Sequence, residues 1–145
     1  MAALFDTSIW IFLLFDHHPF HQSAVTALNS FSSRNSVFFN RETQKSFLRL
    51  ATTEAITKGF GCKPLTNAEA WHYYHVFLKD GRISFMEEPE SLGATWESIS
   101  AKGTSSPKLW MDSYLAAFAM TTGLLFVTAD GGFSQFSGLN YKLVR

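Results

Sequence analysis

Short apolar segments typical of buried strands recur at five places in the chain. They are Met1–Phe5, Val37–Phe39, Ile83–Met86, Leu124–Val127 and Tyr141–Val144. Brief apolar runs bounded by polar or turn-forming residues predict strands that are covered on both faces, as in a parallel sheet. The first of these strands is expected to end directly before Asp6.

Helical periodicity fills most of the sequence between the predicted strands. Apolar residues three or four positions apart predict helices over approximately residues 8–15, 20–31, 41–58, 66–79, 92–99 and 110–122. Thr7 or Ser8 is expected to cap the first helix, because a hydroxyl oxygen can accept a hydrogen bond from its free N–H groups. Gly123 is expected to end the last helix.

The third and fourth helices carry the clearest boundary signals. The third is predicted to begin near Arg41 and to be stopped by Gly59 and Gly61. The fourth opens with a capping box formed by Thr66 and Glu69. The residues expected on their buried faces are Phe47, Leu50 and Ala51 in the third helix and Trp71, Tyr74 and Leu78 in the fourth.

Strands that alternate with helices over short connections predict an α/β fold, a three-layer α/β/α sandwich around a mostly parallel central sheet. With 145 residues and no linker or repeat, the chain is expected to be a single domain over residues 1–145. Ligands of such folds bind beyond the carboxyl ends of the strands, where the strand order reverses. We therefore look for chemistry at that edge.

Composition narrows the class of protein but does not choose a function. The 12 basic and 12 acidic side chains balance, so no general attraction to nucleic acid is expected. The apolar run Ile9–Phe15 is far shorter than the roughly 20 residues of a membrane-spanning helix. No secretory signal precedes it, so a cytoplasmic protein without membrane contact is expected. Cys62 is the only cysteine, which excludes an internal disulfide and a multi-cysteine zinc site.

Three acids stand where an α/β sheet would gather them. Asp6 follows the first strand, Asp112 falls in the first turn of the last helix, and Asp130 follows the next strand. Carboxylate oxygens are the ligands that Mg²⁺ and Mn²⁺ prefer, and such ions can drive phosphodiester hydrolysis. Any one of these residues could merely cap a helix or close a turn. Their joint placement favours a metal site.

Four motifs in order resemble the PIN domains, in particular the VapC toxins of bacterial toxin–antitoxin pairs. The motifs are residues 4–8 (LFDTS), 42–50 (ETQKSFLRL), 110–117 (WMDSYLAA) and 127–133 (VTADGGF). The resemblance implies a Mg²⁺- or Mn²⁺-dependent endoribonuclease, usually dimeric, that cuts RNA such as tRNA or rRNA and is inhibited by a VapB-type antitoxin. Asp6, Asp112 and Asp130 match the metal-binding acids of that family.

The sequence departs from the family pattern at three positions. Ser8 replaces a frequent Asn and can still donate a hydrogen bond to an acid or cap the helix. Glu42 is assigned as the remaining catalytic acid, although another alignment puts Ser46 at that position. Gly132 stands where many relatives have a second acid, so a second metal ion is expected to bind weakly.

The basic, histidine and aromatic residues each allow two interpretations. Arg41, Lys45 and Arg49 recur every fourth residue and could contact RNA or an acidic antitoxin, or form a solvated helix face. The five histidines are expected to be loop or half-buried side chains and not zinc ligands. The aromatic residues around Trp71 are expected to fill a core or a dimer interface more readily than to stack on bases.

Three other functions compete with the nuclease. A phosphatase of the haloacid-dehalogenase kind would need a second Asp where Ser8 stands, and a receiver-like signalling domain would need a Lys after a late strand. The third is a catalytically inactive PIN fold that binds RNA or protein. It remains an alternative because Gly132 stands where many relatives have an acid.

Overall fold

Five short strands form the centre of the protein. A computed structural model, which describes residues Met1–Arg145, places them at β1 (Ala3–Phe5), β2 (Val37–Phe39), β3 (Ile83–Phe85), β4 (Leu125–Thr128) and β5 (Tyr141–Leu143). They form one sheet in the order β3-β2-β1-β4-β5, and every neighbouring pair is parallel. All five predicted strands are confirmed, and the sheet is parallel throughout.

Seven α-helices connect the strands. They are α1 (Thr7–Leu14), α2 (His21–Asn29), α3 (Arg41–Ala51), α4 (Glu54–Thr57), α5 (Asn67–Lys79), α6 (Leu92–Ser100) and α7 (Leu109–Thr122). Two short 3-10 helices lie at Lys58–Phe60 and Gly131–Gln135. None of the helices combines the length and the apolar character that crossing a membrane requires.

The helices cover both faces of the sheet because alternate strand residues point to opposite sides. Phe5 and Val127 are fully buried in one core, together with residues of α1, α2, α3 and α5. Leu4 and Phe126 are fully buried in a second core, together with residues of α6 and α7. The predicted three-layer α/β/α sandwich is therefore confirmed.

Trp10 holds α1 against the sheet. Its fully buried ring stacks on Phe39 with 3.8 Å between ring centroids. Its indole N–H donates a hydrogen bond to the carbonyl oxygen of Phe5 at 3.1 Å. A buried aromatic pair with a satisfied polar atom packs firmly. The start of α1, directly after β1, is therefore fixed in position over the sheet.

The third helix is shorter than predicted. It ends at Ala51 and not at Gly59, and α4 is a separate helix. The hydroxyl groups of Thr52 and Thr53 both donate to the carbonyl oxygen of Arg49, at 3.0 and 2.6 Å. Threonine hydroxyls compete with backbone N–H groups for helix carbonyls, so two adjacent threonines favour a break here. The predicted stop at the glycines was wrong for α3, and Gly61, with φ of +75°, ends the following 3-10 helix instead.

The predicted burial of α5 was only partly right. Its capping box is present, with Thr66 accepting from the Glu69 N–H and Glu69 accepting from the Thr66 N–H. Tyr74 is buried, but Trp71 is 45% exposed. The prediction that Trp71 is buried was therefore wrong. The helix turns this ring away from the sheet, where it stacks on His75.

Candidate metal-binding active site

The ends of β1 and β4 meet at the carboxyl edge of the sheet. These two strands are parallel neighbours, with Phe5 opposite Val127. The backbone N–H of Asp6 continues the pairing by donating to the carbonyl oxygen of Val127 at 2.8 Å. The chain leaves β1 toward β2 on one side, whereas β4 lies on the other side. This is the reversal of strand order at which α/β sheets bind ligands.

Asp6 caps α1 with its own carboxylate. Its Oδ1 accepts a hydrogen bond from the N–H of Thr7 at 2.8 Å, so the predicted cap at Thr7 or Ser8 was wrong. The helix begins directly after the strand, so the carboxylate is the first side chain to reach its free N–H groups. The Ser8 hydroxyl, expected to bind an acid or cap the helix, is buried without a hydrogen-bond partner.

Thr128 connects the two acids at this edge. Its fully buried hydroxyl donates to Oδ2 of Asp6 at 2.6 Å, and it accepts a hydrogen bond from the N–H of Asp130 at 3.0 Å. Both carboxylate oxygens of Asp6 are thus oriented by neighbours. We did not identify Thr128 from the sequence. The available signal was a hydroxyl residue at the end of a strand, two positions before an acid.

Burial and like charges raise the pKa values of two of the acids. Burial raises the pKa of Asp6 from 3.8 to about 6; the hydrogen bonds from Thr128 and Thr7 oppose the rise, whereas Asp112 and Asp130 add to it. Burial, and then the charge of Asp130, also raise the pKa of Asp112. These mutual effects mean that the three carboxylates lie close enough to repel one another.

Glu42 enters the same region from α3. This helix begins with a capping box in which Asn40 and Thr43 bind each other's backbone N–H groups. Glu42 lies in the first turn, where Ser46 donates to Oε1 at 3.4 Å and the Lys45 ammonium lies 4.0 Å from Oε2. Both Glu42 and Ser46, the two candidates for the remaining acid position, therefore lie at this site, but only Glu42 brings a carboxylate.

A groove of about 450 Å³ joins these residues. Its polar lining includes Asp6, Glu42, Lys45, Ser46, Arg49 and Asp112. We call it the acidic groove. Asp130 does not line it. Its Oδ1 accepts a hydrogen bond from the N–H of Gly132 at 2.8 Å and caps the 3-10 helix that follows. A Cβ atom at Gly132 would lie 3.0 Å from that oxygen, so a larger residue there would crowd the carboxylate.

The predicted basic stripe on α3 is divided. Lys45 and Arg49 line the acidic groove. The guanidinium of Arg41 instead lies 4.7 Å above the ring of Phe85 and donates to Gln44. Two of the three cations therefore lie beside the acids, and the third is held by a cation–π contact.

The donor set at this edge fits a divalent cation. None of the ion pairs in the structure involves Asp6, Asp112 or Asp130, so their charge has no cationic partner in the protein. Carboxylate oxygens are the preferred ligands of Mg²⁺ and Mn²⁺. No three acidic, histidine or cysteine side chains converge closely enough to hold one ion as the structure stands.

Comparison with known proteins is consistent with this geometry. Residues 3–139 match the family described as "PIN domain". The chain is 40% identical over 142 residues to "Ribonuclease VapC41" of Mycobacterium tuberculosis, covering 97% of both chains.

Two solved structures support the fold alone, because their sequence identities are low. A chain of VapBC2 from Rickettsia felis, crystallised with a DNA fragment from the promoter, superposes with a TM-score of 0.68 at 12% identity and covers 100% of both chains. A chain of a toxin–antitoxin complex from Klebsiella pneumoniae superposes with a TM-score of 0.56 at 16% identity and covers 95% of both.

Proposed function

The chain belongs to the PIN-domain family, and on that basis we propose that it is a metal-dependent endoribonuclease, a VapC-like toxin that hydrolyses RNA phosphodiester bonds. We propose further that one PIN domain spans residues 1–145. The observation that carries the proposal is the meeting of Asp6, Asp112 and Asp130 at one edge of the sheet without a cationic partner. A bound cation would offset this negative charge and so favour the approach of a polyanionic substrate.

Mg²⁺ or Mn²⁺ is the proposed cofactor, held by Asp6, Asp112 and Asp130. When bound, such an ion offsets charge on the phosphate oxygens and makes a water molecule more acidic, which supplies a nucleophile at neutral pH. Glu42 is the proposed fourth catalytic acid, because it lines the acidic groove from α3. Its placement suits a residue that positions water or further ions beside the substrate.

The protein itself contributes orientation and charge. The Thr7 N–H and the Thr128 hydroxyl donate hydrogen bonds that orient the Asp6 carboxylate. Because this side chain is already restrained, it would lose less conformational freedom when it bound a metal ion. With a pKa of about 6, most Asp6 side chains are ionised above neutral pH and ready for a cation. Lys45 and Arg49 are the proposed contacts for RNA phosphates or antitoxin. Arg41 would have to leave Phe85 to join them.

We infer the partners from the family of the chain and from its exposed apolar residues. A VapB-type antitoxin is the proposed inhibitor, since the chain is 40% identical to a protein named as a VapC ribonuclease. RNA, such as tRNA or rRNA, is the proposed substrate, and the cytoplasm is therefore the proposed location. A homodimer is proposed because α5 exposes Trp71, Tyr73 and Val76, each about two-fifths accessible.

A catalytically inactive PIN fold that binds RNA or protein is the second candidate. Its support is the absence of three converged ligands in the structure, together with Gly132 at the position where many relatives carry an acid. The same experiment separates it from the nuclease.

We expect the purified protein to cleave structured RNA when Mg²⁺ or Mn²⁺ is present and to stop when EDTA is added. Asp6→Asn and Asp112→Asn should each lower the cleavage rate by roughly 100-fold or more, because each removes a charged ligand. Asp16→Asn is the matched control, since Asp16 is an exposed aspartate that pairs with His17 and does not line the acidic groove. Gel analysis of RNA fragments and circular dichroism of each variant provide the two readouts.

Wild-type rates in either folded variant would contradict the assignment of the site. Intact RNA with every metal tested would favour the inactive fold. Expression in a bacterium gives an independent check, because the nuclease should arrest growth and Asp6→Asn should relieve the arrest. Normal growth under wild-type expression would count against a toxin.

A further inference from the structure

A second groove begins where the acidic groove ends. It has a volume of about 580 Å³, and its polar lining comprises Lys102, Thr104, Ser106, Lys108, Asp112 and Gln135. We call it the lysine groove. Asp112 lines both grooves, so they meet at one of the proposed metal ligands. An RNA strand whose reacting phosphate lay beside Asp112 would have one continuous path across the edge of the β-sheet.

The charge of the lysine groove is the reverse of that of its neighbour. Lys102 and Lys108 are exposed, and neither forms an ion pair. Asp112, at the junction, is the only acid in the lining. Two ammonium groups that form no ion pair are suited to phosphate groups, because each bound phosphate releases counterions from the nucleic acid.

The remaining lining groups also suit a nucleic acid better than a protein helix. Leu109 is the only hydrophobic residue among eight, so the groove offers no row of apolar side chains to an amphipathic helix. Thr104 and Ser106 add hydroxyl groups that can donate to phosphate oxygens, and they lie 3.3 Å from each other. The volume is within the range of about 300–1,000 Å³ typical of ligand sites.

We propose that the lysine groove binds the single-stranded RNA that flanks the cleaved bond, with Lys102 and Lys108 each contacting a phosphate. The inference rests on the proposed nuclease function and assigns the substrate's path on one side of the acids. The two lysines lie in the segment between α6 and α7 and do not line the acidic groove. They act on the affinity for RNA and not on the chemical step.

The test is the steady-state kinetics of cleavage of a single-stranded oligoribonucleotide of mixed sequence by the full chain with Mn²⁺. The double variant Lys102→Ala/Lys108→Ala should raise KM about 10-fold at low salt while kcat changes less than about 2-fold. The slope of log KM against log salt should fall by about 1.4, since each phosphate contact on a single strand contributes about 0.7. Lys102→Arg/Lys108→Arg should restore most of the affinity, because the charge is kept.

Lys63→Ala/Lys79→Ala is the matched control, since both lysines are exposed and line neither groove. It should leave KM and the salt slope unchanged. Wild-type KM in the Lys102/Lys108 alanine variant, with a cleaving wild-type enzyme, would overturn the groove assignment and leave the nuclease intact. A wild-type protein that cleaves no RNA would overturn both proposals, so the two failures are distinguishable.

Discussion

Asp6 is a single residue with opposing demands on it. It caps α1 and accepts the Thr128 hydroxyl, yet burial and two neighbouring acids raise its pKa to about 6. The charged form is therefore less stable in the folded protein than in the unfolded chain. A carboxylate held charged against this preference is suited to binding a cation, which removes the penalty when it arrives.

This balance predicts that Asp6→Asn is more stable than the wild type in EDTA at pH 7.5. A raised carboxyl pKa means that the folded state binds the proton more tightly, so stability falls as pH rises from about 4 through 6. Asparagine cannot ionise and avoids a loss of up to about 3 kcal/mol, since one pKa unit corresponds to about 1.4 kcal/mol. Thermal melts between pH 4 and 8 provide the measurement. The gain should vanish near pH 4, and a gain independent of pH would contradict the argument.

The role of Thr128 is visible in the structure but was not predicted from the sequence. Thr128→Val keeps its shape but removes the hydroxyl that Asp6 and the Asp130 N–H both use. Loss of a partner that orients a metal ligand typically lowers metal affinity or activity by 10–100-fold. We expect that loss in the Mn²⁺ titration of cleavage, with the pH profile displaced upward because one group that lowers the Asp6 pKa is gone.

Thr128→Ser separates this role from simple packing. It keeps the hydroxyl and loses a methyl group, so most of the metal affinity should return even if the melting temperature drops. A serine variant as impaired as the valine variant would show that packing, and not the hydrogen bond, is what matters at this position.

At the scale of the elements, the start of α3 determines the position of Glu42, the proposed fourth catalytic acid. Asn40 is 1% exposed, and its side chain accepts from the Thr43 N–H at 2.9 Å. Asn40→Ala should destabilise the protein by about 1–2 kcal/mol, as removal of an N-cap generally does. Because Glu42 lies in the turn that would fray, kcat should fall as well, by several-fold. Chemical denaturation and RNA cleavage provide the two measurements.

Thr66→Ala is the matched control for that experiment. Thr66 caps α5 through the same kind of capping box, but it lies outside the acidic groove. It should also lower the free energy of unfolding by about 1 kcal/mol while cleavage stays at the wild-type rate. Equal loss of activity in both variants would mean that general destabilisation, and not the position of Glu42, explains the effect.

The element boundaries show which sequence signals were sufficient. The strands, the Thr66 capping box and the Gly123 stop followed from local patterns and were found where expected. The end of α3 did not, because two threonine side chains outcompete the helix for its own carbonyl groups. The exposure of Trp71 also escaped the pattern, since periodicity locates an apolar face but not how far the neighbouring helix covers it.

At the scale of the whole molecule, the parallel sheet explains what could be predicted of the site. Carboxyl ends of neighbouring parallel strands share an edge, so the fold class alone was enough to expect Asp6 near Asp130. The Thr128–Asp6 hydrogen bond joins residues 122 positions apart and depends on the register of β1 and β4. No local pattern encodes that register. The lysine groove likewise needs the fold, because it unites the α6–α7 segment with Gln135.

The most direct test of the metal site is a crystal soaked in Mn²⁺ and measured for anomalous scattering. We expect an anomalous peak at the carboxyl edge, with Asp6 and Asp112 among the residues that hold the ion. The carboxylates would then have moved together from their present spacing. A crystal with no peak at that edge, or with the ion held by neither Asp6 nor Asp112, would contradict the metal site and the nuclease built on it.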